Sequence, residues 1–153
     1  MTLADKMIVM NEGNVEHIGT PLDVYQQPKS LFTAQFIGSP AMNILKGTTD
    51  GNEIKIGDFK IKSENSYSGD VNFGIRPEHL SIDDNGPIKA TVEFIELIGS
   101  NTLIHCRIKT SNEVIVVSIP GIIQENLSRK EIKLNFDQSK IHLFNTKDNS
   151  RIN

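Results

Sequence analysis

The sequence predicts a mainly β fold, a small barrel or sandwich, preceded by a short β-hairpin and two brief helices. Three observations carry this. Apolar residues alternate at period two from Met42 onward, the mark of half-buried strands. Turn residues recur at short intervals between these runs, as in sandwiches and barrels. A continuous apolar run, Met7-Ile8-Val9-Met10, stands alone near the start, followed by Asn11-Glu12-Gly13-Asn14.

That run reads as a buried strand and turn, with Val15 to Ile18 returning as its hairpin partner. A fully apolar strand normally sits inside a sheet covered on both faces, so these first residues make a poor independent domain. Thr20-Pro21-Leu22-Asp23 places a hydroxyl at an N-cap, proline at the first helical position and a carboxylate in the first turn, all favouring helix initiation. Pro28 stops that helix. Ser30 caps a second through Leu31 to Ile37, with Phe32 and Phe36 on one face and Gly38 at its end.

Ile54 and Ile56 pair with Phe59 and Ile61 across Gly57-Asp58, whose leading glycine suits a type II′ turn; Lys55, Lys60 and Lys62 take the outer face. Val71, Phe73 and Ile75 form the next apolar face, and Ile104, Cys106 and Ile108 another. Ile88, Ala90, Val92 and Phe94 share a face before Ile95 and Leu97 shift parity, as a bulge or sharp bend produces. Ile115, Val117 and Ile119, then Ile132, Leu134 and Phe136, then Ile141 to Phe144 complete the strands, and the polar tail from Asn145 to Asn153 is expected to fray.

A net charge of -3 gives no general attraction to nucleic acid or anionic lipid, and Phe59, Phe73, Phe94 and Phe136 all fall on expected core faces rather than on a base-stacking platform. The lone cysteine, Cys106, permits no intramolecular disulfide, and on an apolar strand face it behaves as a small hydrophobe. His17, His79, His105 and His142 show no metal-ligand spacing. None of the eleven glycines sits in the loop that cradles nucleotide phosphates, so no catalytic, cofactor or metal residue is assigned. Arg76, Glu78 and His79 form the most suggestive polar cluster: an arginine-carboxylate pair pinning a turn, or a contact for a ligand or facing subunit. Lys55, Lys60 and Lys62 are a second candidate contact strip.

Ala4-Asp5-Lys6, Gly13, Ile18-Gly19-Thr20-Pro21, Tyr25, Pro28 and Phe36-Ile37-Gly38-Ser39-Pro40 with Met42-Asn43 resemble the end of the nucleotide-binding domain in ATP-binding subunits of bacterial sugar and glycerol-phosphate ABC importers. Gly74-Ile75-Arg76-Pro77-Glu78-His79-Leu80 resembles a signature of the transport-associated OB (TOBE) domain appended in that family, and the likeness runs from about Thr2 to Phe144. One departure is Asn101, where the family usually carries an acidic residue.

The resemblance selects an OB-type β-barrel among the β architectures and implies three parts. Residues 1–38 are the C-terminal remnant of an α/β ATPase domain, 39–145 the TOBE regulatory domain, and 146–153 a polar tail. The phosphate loop, signature and catalytic carboxylates of the family lie upstream of Thr2, so the resemblance implies no ATPase activity here, with ATP and magnesium belonging to a complete parent subunit. It further implies a regulatory and dimerisation module on the cytoplasmic face of a membrane. Its expected partners are a second copy, the ATPase core, permease subunits and a cytosolic regulator. The alternatives are sensing of a small oxyanion or solute, and single-strand nucleic-acid binding.

Overall fold

The computed structural model of the chain describes residues 5–123 and 126–153. β1 (Met7–Asn11) and β2 (Asn14–Gly19) form the expected antiparallel hairpin. Its turn uses positive φ at Glu12 and Gly13. Only Val9 and His17 are buried; Ile8, Met10, Val15 and Ile18 are about half exposed. The apolar run is thus only half buried, as a poor independent domain would leave it: the two-stranded ribbon lies against the helices with one face only.

α1 (Pro21–Gln26) starts where Thr20 Oγ1 accepts the Asp23 N–H at 3.1 Å. α2 (Leu31–Phe36) starts where Ser30 Oγ accepts the Thr33 N–H at 3.2 Å. It ends one residue before the sequence suggests, because Ile37 is already extended. Phe32 and Phe36 stack with ring centroids 5.5 Å apart, as four-residue spacing on a helix allows.

The strands that follow are β3 (Asn43–Thr49), β4 (Glu53–Ile56), β5 (Phe59–Lys62), β6 (Gly69–Ile75), β7 (Leu80–Ile82), β8 (Ile88–Ile98), β9 (Asn101–Ile108), β10 (Val114–Pro120), β11 (Glu131–Phe136) and β12 (His142–Asn145). Their ladders do not trace one closed sheet. They run as two five-stranded sheets, in the orders β12-β6-β3-β4-β5 and β10-β9-β8-β11-β7. Leu45, Phe73, Ile75 and Leu143 from the first face Val92, Ile104, Ile115 and Leu134 from the second across one core. Asn43 joins the sheets: its Nδ2 donates to Val116 O and its Oδ1 accepts from Val116 N, both at 2.8 Å. One buried amide side chain thus satisfies a donor and an acceptor of β10 that water cannot reach easily.

The parity shift in β8 is real and falls one residue earlier than expected. The register slips between Val92 and Phe94, so Phe94 points outward, half exposed, and stacks on His105 at 4.2 Å. Its assignment to the core is corrected; Phe59 and Phe73 are buried, and Phe136 packs edge-on against Phe73. Cys106 is fully buried, and desolvation pushes its thiol up to about 12.

The expected fraying of the tail is also corrected. Asn145 and Asp148 accept backbone N–H groups that curl the chain back. Ser150 then bridges to Ser30 and Arg151 to Phe144, while the side chain of Ile152 reaches the core. Polar residues supply this order through local side-chain-to-backbone bonds.

A cationic junction as candidate functional site

The two signatures that lie far apart in the sequence meet at one place. β3 pairs with β6 so that Asn43 is opposite Ile75, which carries residues 38–43 alongside 74–76. Gly38 adopts φ +112°, and a Cβ there would lie 2.9 Å from an Arg76 Nη1 atom. Gly74 leaves room for the Met42 sulfur, which would stand 2.5 Å from an added Cβ. Gly38 is therefore favoured by backbone conformation as well as by close approach, and Gly74 by close approach alone.

Arg76 is at the centre and is 1% exposed. Its Nη1 donates to Ile37 O at 2.8 Å and Ala34 O at 3.4 Å, and its Nη2 to Tyr25 O at 2.9 Å. The guanidinium also lies 3.9 Å from the centroid of the Tyr25 ring, a cation–π contact. The arginine-carboxylate pair expected from Arg76 and Glu78 is not formed: the described ion pairs involve neither residue. The physical reason is the proximity of carbonyls at the ends of α1 and α2, where helices leave acceptors unsatisfied. A planar five-donor group can serve several of them together. Glu78 stays exposed. Burial first, and then the Glu78 carboxylate, push the Tyr25 hydroxyl up to about 12.

His79 closes the short 3₁₀ turn Pro77–His79 and shares a cavity of about 180 Å³ with Arg76, Lys140, His142 and Arg151. Arg151 Nη1 lies 2.8 Å from His142 Nδ1. Because arginine can only donate, Nδ1 accepts, and neutral His142 carries its proton on Nε2. Burial, then Arg151, Arg76 and His79, hold the His142 pKa down to about 3. The same sense applies to His79, chiefly by desolvation. Lys55, Lys60 and Lys62 are brought together as expected, on the exposed face of the β4–β5 hairpin with Lys55 opposite Lys60. Lys55 and Lys62 line two other surface hollows, and none of the three lines this cavity. Tyr25, Lys140, His142 and Arg151 were not singled out as site residues, since nothing in alternation or spacing marks them.

This histidine gives a pH prediction. A histidine whose folded pKa lies below its unfolded value, near 6.5, takes up protons on unfolding. It contributes its full stability above pH 6.5 and loses it as pH falls toward 3. The chain is expected to lose up to about 1.4 kcal/mol per pH unit on this account, and His142→Gln to flatten the slope between pH 6 and pH 4. Urea melts across that range check it.

What these elements define is a β module bolted to a hairpin-and-helix segment through a buried arginine. Residues 38–80 match the MalK OB fold domain and residues 73–144 the TOBE domain; the overlap, 73–80, is the Arg76 signature. The chain is 42% identical over 122 residues to the sn-glycerol-3-phosphate import ATP-binding protein UgpC of Ruegeria pomeroyi, covering 79% of this chain and 35% of that protein. It is 36% identical over 169 residues to the oligosaccharides import ATP-binding protein MsmX of Bacillus subtilis, covering 99% and 46%. Against the alpha-glucoside transport ATP-binding protein AglK of Rhizobium meliloti it is 34% identical over 164 residues, covering 98% and 44%. The chain belongs to the TOBE and OB region of the sugar and glycerol-3-phosphate type of ABC-importer ATP-binding subunits, and spans less than half the length of these relatives. TOBE and OB domains are accessory, non-catalytic parts of such subunits. Among the described residues no helix is long and apolar enough to cross a membrane, and no group of three or more metal-ligating side chains converges.

Proposed function

We propose that this chain is the regulatory and dimerisation module of an ATP-binding subunit serving carbohydrate or glycerol-phosphate uptake, held at the cytoplasmic side of the membrane through permease subunits. The relatives' activities in import support the setting. The observation that carries the interaction role is apolar surface left outward in two places.

Ile8, Met10, Val15 and Ile18 line the uncovered face of the β1–β2 ribbon. In this reading they seat against a nucleotide-binding core. Leu97, Ile98 and Ile122 are each more than half exposed where the β8–β9 hairpin turns beside Gly121. In this reading they meet a second copy. Exposed apolar clusters of this kind mark association surfaces, and at about 25 cal/mol per Å² a few large side chains supply several kcal/mol.

Sedimentation over a range of concentrations tests it. The chain is expected to self-associate, and Leu97→Ser with Ile98→Ser to sediment as a monomer with an unchanged melting temperature. An unchanged assembly in that variant, or a monomeric parent chain at all concentrations, removes the dimerisation role.

A further inference from the structure

The β1–β2 ribbon is held to the rest of the chain by very little. Val9 and His17 stand directly opposite each other in its register and are its only buried residues, at 3% and 5% exposure. The ribbon packs on α1 and α2, whose own buried residues are Val24, Thr33 and Ala34. One of its two anchors is therefore an ionisable ring. His17 Nδ1 is shut off from solvent and has no hydrogen-bond partner, and a buried polar atom in that condition is unusual enough to require an explanation. Gly19 separates the ring from the start of α1: a Cβ there would lie 3.6 Å from His17 Nε2 and 3.5 Å from the Asp23 Cβ.

We infer that His17 is a pH-sensitive latch: the neutral ring keeps the ribbon docked, and its protonation releases the ribbon from α1 and α2 while the two five-stranded sheets stay folded. An imidazolium carries a donor on both nitrogens. Nδ1 faces no acceptor, so the charged ring is stable only where water reaches it. The neighbouring charges do not reverse this. Burial first, then Lys29, lower the His17 pKa, and Asp23 opposes them. Met7–Asn11 of β1 and Leu31–Phe36 of α2 carry no titratable side chain. On the ribbon itself, Glu12 lies in the exposed turn and Glu16 accepts from Asn11 Nδ2; Tyr25 of α1 lies under Arg76. With a folded pKa below the unfolded value of about 6.5, docking is complete above that pH and weakens as pH falls. A ribbon with two buried side chains is the kind of unit that opens locally, without global unfolding. The latch is independent of the dimerisation role proposed above.

Amide hydrogen exchange of the full chain between pH 7 and pH 5, with each rate scaled to that of the unfolded peptide, is the test. Protection of residues 7–19 is expected to fall with pH, by at most about tenfold per pH unit, and to stay well below that of β8 and β9, which marks local opening. His17→Gln, which cannot titrate, should level the ribbon's response, and His142→Gln should leave it intact. Ribbon protection that ignores pH, or equals that of β8 and β9 throughout, overturns the latch. So does a response that survives in His17→Gln or vanishes in His142→Gln. Should His17→Gln leave the ribbon unprotected even at pH 7, the imidazole titration of the parent chain by NMR decides. A His17 midpoint below 6.5 that coincides with the loss of ribbon protection supports the latch; any other midpoint, including the raised one that pairing with Asp23 would give, overturns it.

Discussion

Replacing Arg76 with alanine is expected to lower stability by about 3 to 5 kcal/mol, the range for removing one member of a buried charged network. Three carbonyl oxygens, of Tyr25, Ala34 and Ile37, lose their donor together. The Tyr25 ring loses the cation it lies over. Part of the loss is recovered if the α1–α2 segment lifts and lets water reach those carbonyls. The variant is therefore also expected to be cut faster by protease between residues 20 and 38. Arg76→Lys should rescue little, because a single ammonium cannot serve three separated acceptors and stack on a ring. Urea denaturation measures both variants; a lysine variant as stable as the parent would show that charge alone, and not the fork, matters here.

Gly86→Ala is the second large effect, and its cause is steric. A Cβ at Gly86 would lie 2.3 Å from Leu134 O and 2.4 Å from Leu134 C. These are backbone atoms of β11, which pairs with β8 on one side and β7 on the other at Leu134 itself. No flexible side chain can give way, so the collision moves a strand bonded on both edges. A loss of about 3 kcal/mol, toward the upper end of overpacking costs, is expected. Gly99→Ala is the comparison: nothing lies within 4 Å of its Cβ, and only φ +58° opposes it, worth about 1 to 2 kcal/mol. Thermal melts of the two variants separate collision from backbone strain, and equal losses would contradict the contact geometry.

The strand pattern was legible because period two is imposed by the pleat whatever the neighbours. Ile54, Ile56, Phe59 and Ile61 face inward as alternation requires. The arrangement of the strands into two sheets was not legible, since alternation records which face is dry and not which strands are partners. Phe94 shows a second limit. A bulge moves parity by one residue, and the sequence leaves the slip equally readable before or after Phe94. At the site, Arg76 and His79 were visible as a motif, but their partners were not. The acceptors of Arg76 are main-chain carbonyls, which every residue carries and no sequence distinguishes. Arg151 lies in a polar stretch whose composition resembles that of a loose end.

The bonds between residues 29–31 and 149–151 bear on how the chain folds. Leu31 N–H donates to Asn149 O, and Arg151 N–H to Lys29 O. These partners are separated by more than a hundred residues of sequence, so their bonds form only once all of the intervening strands are available. Contacts of such long sequence separation close late, after the intervening ladders have shortened the loop between them. The strap formed by residues 149–151 is accordingly a closing step in folding, laid over an α1–α2 segment that Arg76 already holds through partners much nearer in sequence.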